Sequence, residues 1–232
     1  MSDDDALSLA RSLQLQWFGK ARAERITEPV VEPLWSGLRV IAAAHQGQAI
    51  LLDDGADVTA HPELTEALAT VVEATATGVI LDAYVTNQIA TDEPGVYTGT
   101  TDIKVGAPIV GGLLGRGRRP RREELADDLG AELRSKTIDE DDPVNLVAVD
   151  LLWLDGEWLL ETPLLERKRL LEAILPDDPL VRASVFIRPP IDRWVGSWRA
   201  QGFRGLAFKG ANSRYRPGEV ARDWATRPMP RR

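Results

Sequence analysis

The chain contains no cysteine, which excludes disulfides and thiolate metal sites and fits a cytoplasmic setting. Its two histidines, His45 and His61, are too few for a histidine-based metal centre. His61 precedes Pro62 and the helix-like run P-E-L-T-E-A-L, which points to a surface or capping role. No apolar run reaches the length of about 18 residues that a membrane helix needs, so no span is expected. Met1 to Asp5 is acidic where a secretory signal is basic, which argues against export. Lysine is scarce as well: there are five, Lys20, Lys104, Lys136, Lys168 and Lys209.

What remains is 232 residues, enough for one large domain or two small ones with a sizeable core. The net charge of −8 argues against indiscriminate nucleic-acid binding. Its distribution is uneven. Residues 182–232 carry twelve Lys/Arg against three Asp/Glu, whereas residues 1–181 carry sixteen against thirty-three. A basic end on an acidic body is either a localised anion-facing surface or a set of solvated arginine loops. The same two readings apply to the five arginines from Arg116 to Arg122, which meet the acidic start of a predicted helix, E-E-L-A-D-D-L-G-A-E-L. The glycines at 111–117 lack a following K-[S/T], so a P-loop is not supported.

Periodicity supplies the elements. Leu9, Leu13 and Trp17 stand at i, i+4 and i+8 and predict an N-terminal helix within residues 6–25. Strands are predicted at 38–44, 48–53, 78–85, 145–154, 183–187 and 205–209, and helices at 62–74, 163–175 and 191–201. D-D-G at 53–55 and D-G-E-W at 155–158 read as hairpin turns, with glycine supplying positive φ. Residues 86–112 are turn-rich and read as strands and loops. Trp194 and Trp198, one helical turn apart, read as core or interface. Strands interrupted by amphipathic helices give an α+β domain.

The chain is organised around V-E-P-L-W-S-G-L-R-V (31–40), an edge of buried structure, a glycine turn and a strand carrying Arg39. This stretch resembles the first motif of ATP-dependent DNA ligases and other covalent nucleotidyltransferases, roughly E-P-K-W/Y-D-G-x-R. Further matches follow in order. V-I-L-D-A-Y-V (79–85) is similar to the strand ending L-D-G-E. V-D-L-L-W-L-D-G (149–156) and T-P-L-L-E-R-K-R-L-L (162–171) resemble the block found in bacterial end-joining ligases. F-R-G-L-A-F-K (203–209), S-R-Y-R-P-G (213–218) and Trp224 resemble the closing motifs. The resemblance implies an α+β ligase-type nucleotidyltransferase (adenylation) domain with antiparallel sheets flanked by helices and no OB-fold domain, since eight residues follow Trp224. It implies an N-terminal helical segment at 1–28, the ligase-like domain at 29–226 and a basic tail at 227–232.

In that family a lysine attacks the α-phosphate of ATP, carboxylates hold the metal, lysines neutralise phosphates and an aromatic ring stacks on adenine. Here Leu34 stands at the lysine position and Ser36 at the aspartate position. Asp53 replaces an arginine, Tyr84 the metal-linked glutamate, Val149 the stacking aromatic and Arg204 a glutamate. Thr226 and Pro228 take the places of the final lysines. The residues left to touch a nucleotide are Glu32, Arg39 and Lys209, with no catalytic and no metal-binding residue. Leu34, Tyr84 and Val149 suggest a pocket filled by side chains.

The expected function is a catalytically inactive ligase-like module that binds or scaffolds, in DNA repair or a phage-related process, with no cofactor. Two alternatives stand beside it. One is an active ligase-like enzyme using ATP and Mg²⁺ with an OB-fold partner. The other is a DNA-binding protein without nucleotide chemistry. Expected partners are DNA, through the arginine-rich C-terminal end and Arg116 to Arg122, and a DNA-repair protein; no membrane is expected.

Overall fold

Side-chain alternation along three long strands sets the architecture. In β5 (Gly78–Thr86), Val79, Leu81, Ala83 and Val85 point to one face while Ile80, Asp82 and Tyr84 point to the other. β2 (Leu38–His45) and β6 (Asn145–Leu154) flank it and are buried along almost their whole length. The computed structural model describes residues 5–90, 143–176 and 178–230. The predictions for the basic run at 116–122 and for the helix after it lie outside these residues.

β3 (Gln48–Asp53) and β4 (Ala56–Asp57) extend the sheet on one side and β7 (Glu157–Trp158) on the other, in the order β4-β3-β2-β5-β6-β7. The pairs along this path are antiparallel; β8 (Val181–Ala183) joins β6 in parallel. Both hairpin turns form as expected. Asp54 and Gly55 have φ of 46° and 82°, and Asp155 and Gly156 have 47° and 99°. One face of this sheet is covered by helices α2 (Pro62–Glu73) and α3 (Leu164–Ile174). Leu64, Leu68, Val71 and Val72 of α2 and Leu171 and Ile174 of α3 complete that core.

The opposite face meets a second sheet of three strands, β1 (Pro29–Pro33), β9 (Gly205–Gly210) and β10 (Trp224–Pro228), in the order β1-β9-β10. Helix α4 (Asp192–Ala200) supports it. Val195 and Trp198 pack with Leu206 and Phe208 of β9, and with Tyr84, Val147 and Val149 of the large sheet. Trp194 and Trp198 lie 5.8 Å apart within this core, as their spacing suggested.

The structure corrects four local expectations. The N-terminal helix α1 covers only Ala6–Ala10. Beyond it the chain runs extended, because Trp17 and Gly19 bond the backbone of residues 219–224 and Leu13 and Leu15 pack beside the buried group that includes Ile41, Leu52, Ile80 and Trp224. Tertiary pairing overrides the helical spacing of Leu9, Leu13 and Trp17. The strand expected at 183–187 is β8 at 181–183, and Ile187 makes a separate bridge to Val31. His61 is buried rather than superficial and makes no side-chain capping bond; its Nδ1 lies 3.3 Å from Glu63. Arg227 and Pro228, assigned to a tail, belong to β10.

Leu68 is fully buried beneath β2 and β3. Leu68→Ala is expected to cost about 2–5 kcal/mol, because the packed sheet cannot collapse into the space. Urea denaturation measures it.

Candidate functional site

The turn between β1 and β2 hangs between the two sheets. Gly37 permits it: its φ is 130°, and a Cβ there would stand 2.2 Å from the Val85 carbonyl oxygen. The turn is fixed from outside by Trp35, whose indole N–H donates to Ser184 Oγ at 2.9 Å, and by Ser36, whose backbone N–H donates to Gln88 at 2.7 Å. Leu34, the first residue of the turn, is buried against Ala207 and Phe18.

Around this turn the structure brings together Glu32, Arg39 and Lys209, all lining one cavity with Phe18, Leu34, Tyr84 and Val149. The centre of a water-sized sphere can move over only about 10 Å³ there, room for roughly one water molecule. Leu34, Tyr84 and Val149 form walls, as the sequence suggested.

The charged groups are bound to one another. Arg39 on β2 makes a two-pronged contact with Asp82 on β5, at 2.9 and 2.5 Å. Tyr215 donates its hydroxyl to the same carboxylate at 3.1 Å. Asp150 stands directly across the ladder from Asp82. Two carboxylates in register repel, and each is neutralised by its own arginine. Asp150 takes two bonds of 2.7 Å from Arg167, which also donates to the carbonyls of Thr162 and Ser213. Planar guanidinium groups suit such paired geometry.

The third carboxylate, Glu32, is shared. Lys209 donates to Oε2 at 3.2 Å, and Lys168 forms an ion pair with Oε1. All seven ionisable groups are buried. Three carboxylates face four cations, and the imbalance falls on Lys168. Burial disfavours its ammonium, Glu32 offsets this in part and Lys209 adds repulsion, so its pKa is lowered. Burial also opposes the charge of Arg39, but Asp82 outweighs it and the pKa is raised. For Asp150 burial works towards the neutral acid, and Arg167 prevails, holding the carboxyl below its ordinary value.

Sequence reasoning missed Arg167, Lys168 and Phe18. The first two carried a signal. Leu164, Leu171 and Ile174 mark the buried face of α3, and positions 167 and 168 fall on that same face at i+3 and i+4. Phe18 carried none, since its place depends on a distant loop. The substituted positions Asp53 and Arg204 are exposed and lie off the cavity. Among the described residues no group of three or more His, Asp or Glu side chains is placed to hold a metal ion.

Two stacked sheets with this turn between them, and helices outside, define the nucleotidyltransferase fold of DNA ligases. The ligase domain of Mycobacterium tuberculosis LigD matches with a TM-score of 0.61 and 23% identity, over 93% of this chain and 59% of that one. A mycobacterial DNA ligase D complexed with ATP and MES matches at 0.62 and 22%, over 94% and 60%. The model of the ATP dependent DNA ligase domain matches residues 20–226, and the chain belongs to that family. A DNA ligase of Methanothrix thermoacetophila is 32% identical over 98 residues, 41% of this chain and 17% of that protein. A probable DNA ligase of Streptomyces coelicolor is 30% identical over 111 residues, 46% and 22%. The chain spans about a fifth of the length of these two curated relatives.

Asp150→Asn leaves the Arg167 guanidinium buried without a counter-charge and is expected to cost about 3–5 kcal/mol. The folded carboxyl is depressed, so its stabilisation is complete above the ordinary carboxylate range and is lost as pH falls through the folded value. Urea titrations of both proteins at descending pH should show the gap narrowing at the acid end.

Proposed function

We propose that this domain is a catalytically silent member of the ligase family, retained as a binding or scaffold module in a DNA-repair or phage-related setting. The observation that carries this reading is the state of the three carboxylates. Asp82 and Asp150 are each committed to an arginine, and Glu32 lies between two lysines. A nucleotide with its metal needs free acidic ligands and free cations, and these groups neutralise one another instead. The residues present therefore do not fit ATP and Mg²⁺.

The missing nucleophile supports the same conclusion. Leu34 has no lone pair, and Lys209 and Lys168 are both held on Glu32. Loss of one member of a catalytic unit can by itself cost about 10⁶-fold, and such losses are not additive. Leu34→Lys alone should consequently leave the domain silent. Incubation with α-labelled ATP and Mg²⁺ or Mn²⁺, followed by denaturing electrophoresis, is expected to show no covalent adenylate on the wild type or on Leu34→Lys. A labelled band on the wild type overturns the reading.

A second reading, DNA contact through the basic end, is favoured by Arg188, Arg193 and Arg222, which are exposed. Bound phosphates release counterions, so such binding falls steeply with salt. Filter binding of duplex DNA at low salt, lost on raising the salt, is the expected result. Absence of retention at low salt removes this reading.

A further inference from the structure

The mouth of the cavity is crossed by a segment that belongs to neither sheet. Residues 14–19 run extended along the loop at 215–224 and are fastened to it by backbone bonds. Trp17 N–H donates to Glu219 at 2.9 Å, Ala221 N–H to Trp17 at 2.9 Å and Gly19 N–H to Trp224 at 3.0 Å. Gln16 adds two more: its N–H donates to the Tyr215 hydroxyl at 3.0 Å, and its side-chain oxygen accepts from Arg216 N–H.

This register delivers Phe18 to the cavity. Its ring packs beside Leu34 and Ala207 and lies 5.7 Å from the Trp224 ring. The Arg39 guanidinium and the Lys209 ammonium each stand 5.9 Å from the ring centroid. A half-buried aromatic ring thus faces two cations that are themselves almost fully buried. The close approach depends on Gly19, where a Cβ would fall 1.9 Å from the Ala221 carbonyl oxygen.

We propose that residues 14–19 are a built-in strap, and that Phe18 is the plug by which the chain closes its own cavity. This goes beyond the filling of the interior by Leu34, Tyr84 and Val149. The mouth is shut by a separate element that can be lifted while both sheets stay folded.

Lysine acylation mapped by mass spectrometry tests the strap without any nucleotide, so its outcome is independent of whether the site binds ATP. Lys209 and Lys168 share the Glu32 carboxylate and are 2% and 1% exposed. Lys209 lines the cavity with Phe18, its ammonium 5.9 Å from that ring's centroid and 4.7 Å from that of Trp224, whereas Lys168 is not part of the lining and packs over Phe186, with 5.6 Å between ammonium and ring centroid. Lys209 therefore reports the mouth and Lys168 reports the integrity of the fold.

In the wild type both lysines should react slowly. Phe18→Ala removes the plug and Gly19→Ala unseats the strap. Each should speed acylation of Lys209 at least about tenfold while Lys168 stays at the wild-type rate. A selective rise in Phe18→Ala supports the plug and one in Gly19→Ala supports the strap. If Lys209 stays slow in both variants, or Lys168 accelerates in step with it, the strap is not what closes the cavity and the proposal fails.

Discussion

Mutual neutralisation of buried charges between the two sheets is the constraint on which this structure rests. Taking a carboxylate out of water is costly, and the attraction of a partner repays that cost only with close, well-directed contacts. Asp82 and Asp150 meet that condition through paired guanidinium bonds, while Glu32 takes one hydrogen bond from Lys209 and an ion pair without hydrogen-bond geometry from Lys168. Their partners come from three different elements: Arg39 from β2, Arg167 and Lys168 from α3, and Lys209 from β9. Arg39–Asp82 lies within the large sheet and Lys209–Glu32 within the small one, so α3 is the element that ties the two together, through Arg167 to Asp150 of β6 and through Lys168 to Glu32 of β1.

Much of this was legible in the chain because it depends on local pattern. The strands at 38–45, 48–53, 78–86, 145–154 and 205–210 are nearly continuous apolar runs bounded by turn residues. The helices α2, α3 and α4 show their buried faces at three- and four-residue spacing. Glu32, Arg39 and Lys209 were placed together by motif order, and they share one cavity. What was not legible is non-local. The extended course of residues 11–20 is decided by hydrogen bonds to a loop some two hundred positions away, such as Gln16 N–H to Tyr215. Helical spacing of three leucine and tryptophan residues could not register that competition.

The charge balance sharpens the meaning of the substitutions. Leu34 alone is one lost group. Beside it, Tyr84, Val149 and Phe18 line the same cavity. The one cation in excess, Lys168, has its ammonium disfavoured by burial and by Lys209. A site open to phosphate would have that excess positive charge available to the ligand. In this arrangement the excess sits on a residue held behind Glu32 and packed on Phe186.

The central claim is that these side chains leave no site for a nucleotide. Thermal unfolding with millimolar ATP and Mg²⁺ tests it most directly, since any ligand bound to the folded state stabilises it by RT ln(1 + [L]/Kd). An unchanged melting temperature is the predicted result. A rise that grows with ATP concentration would contradict it.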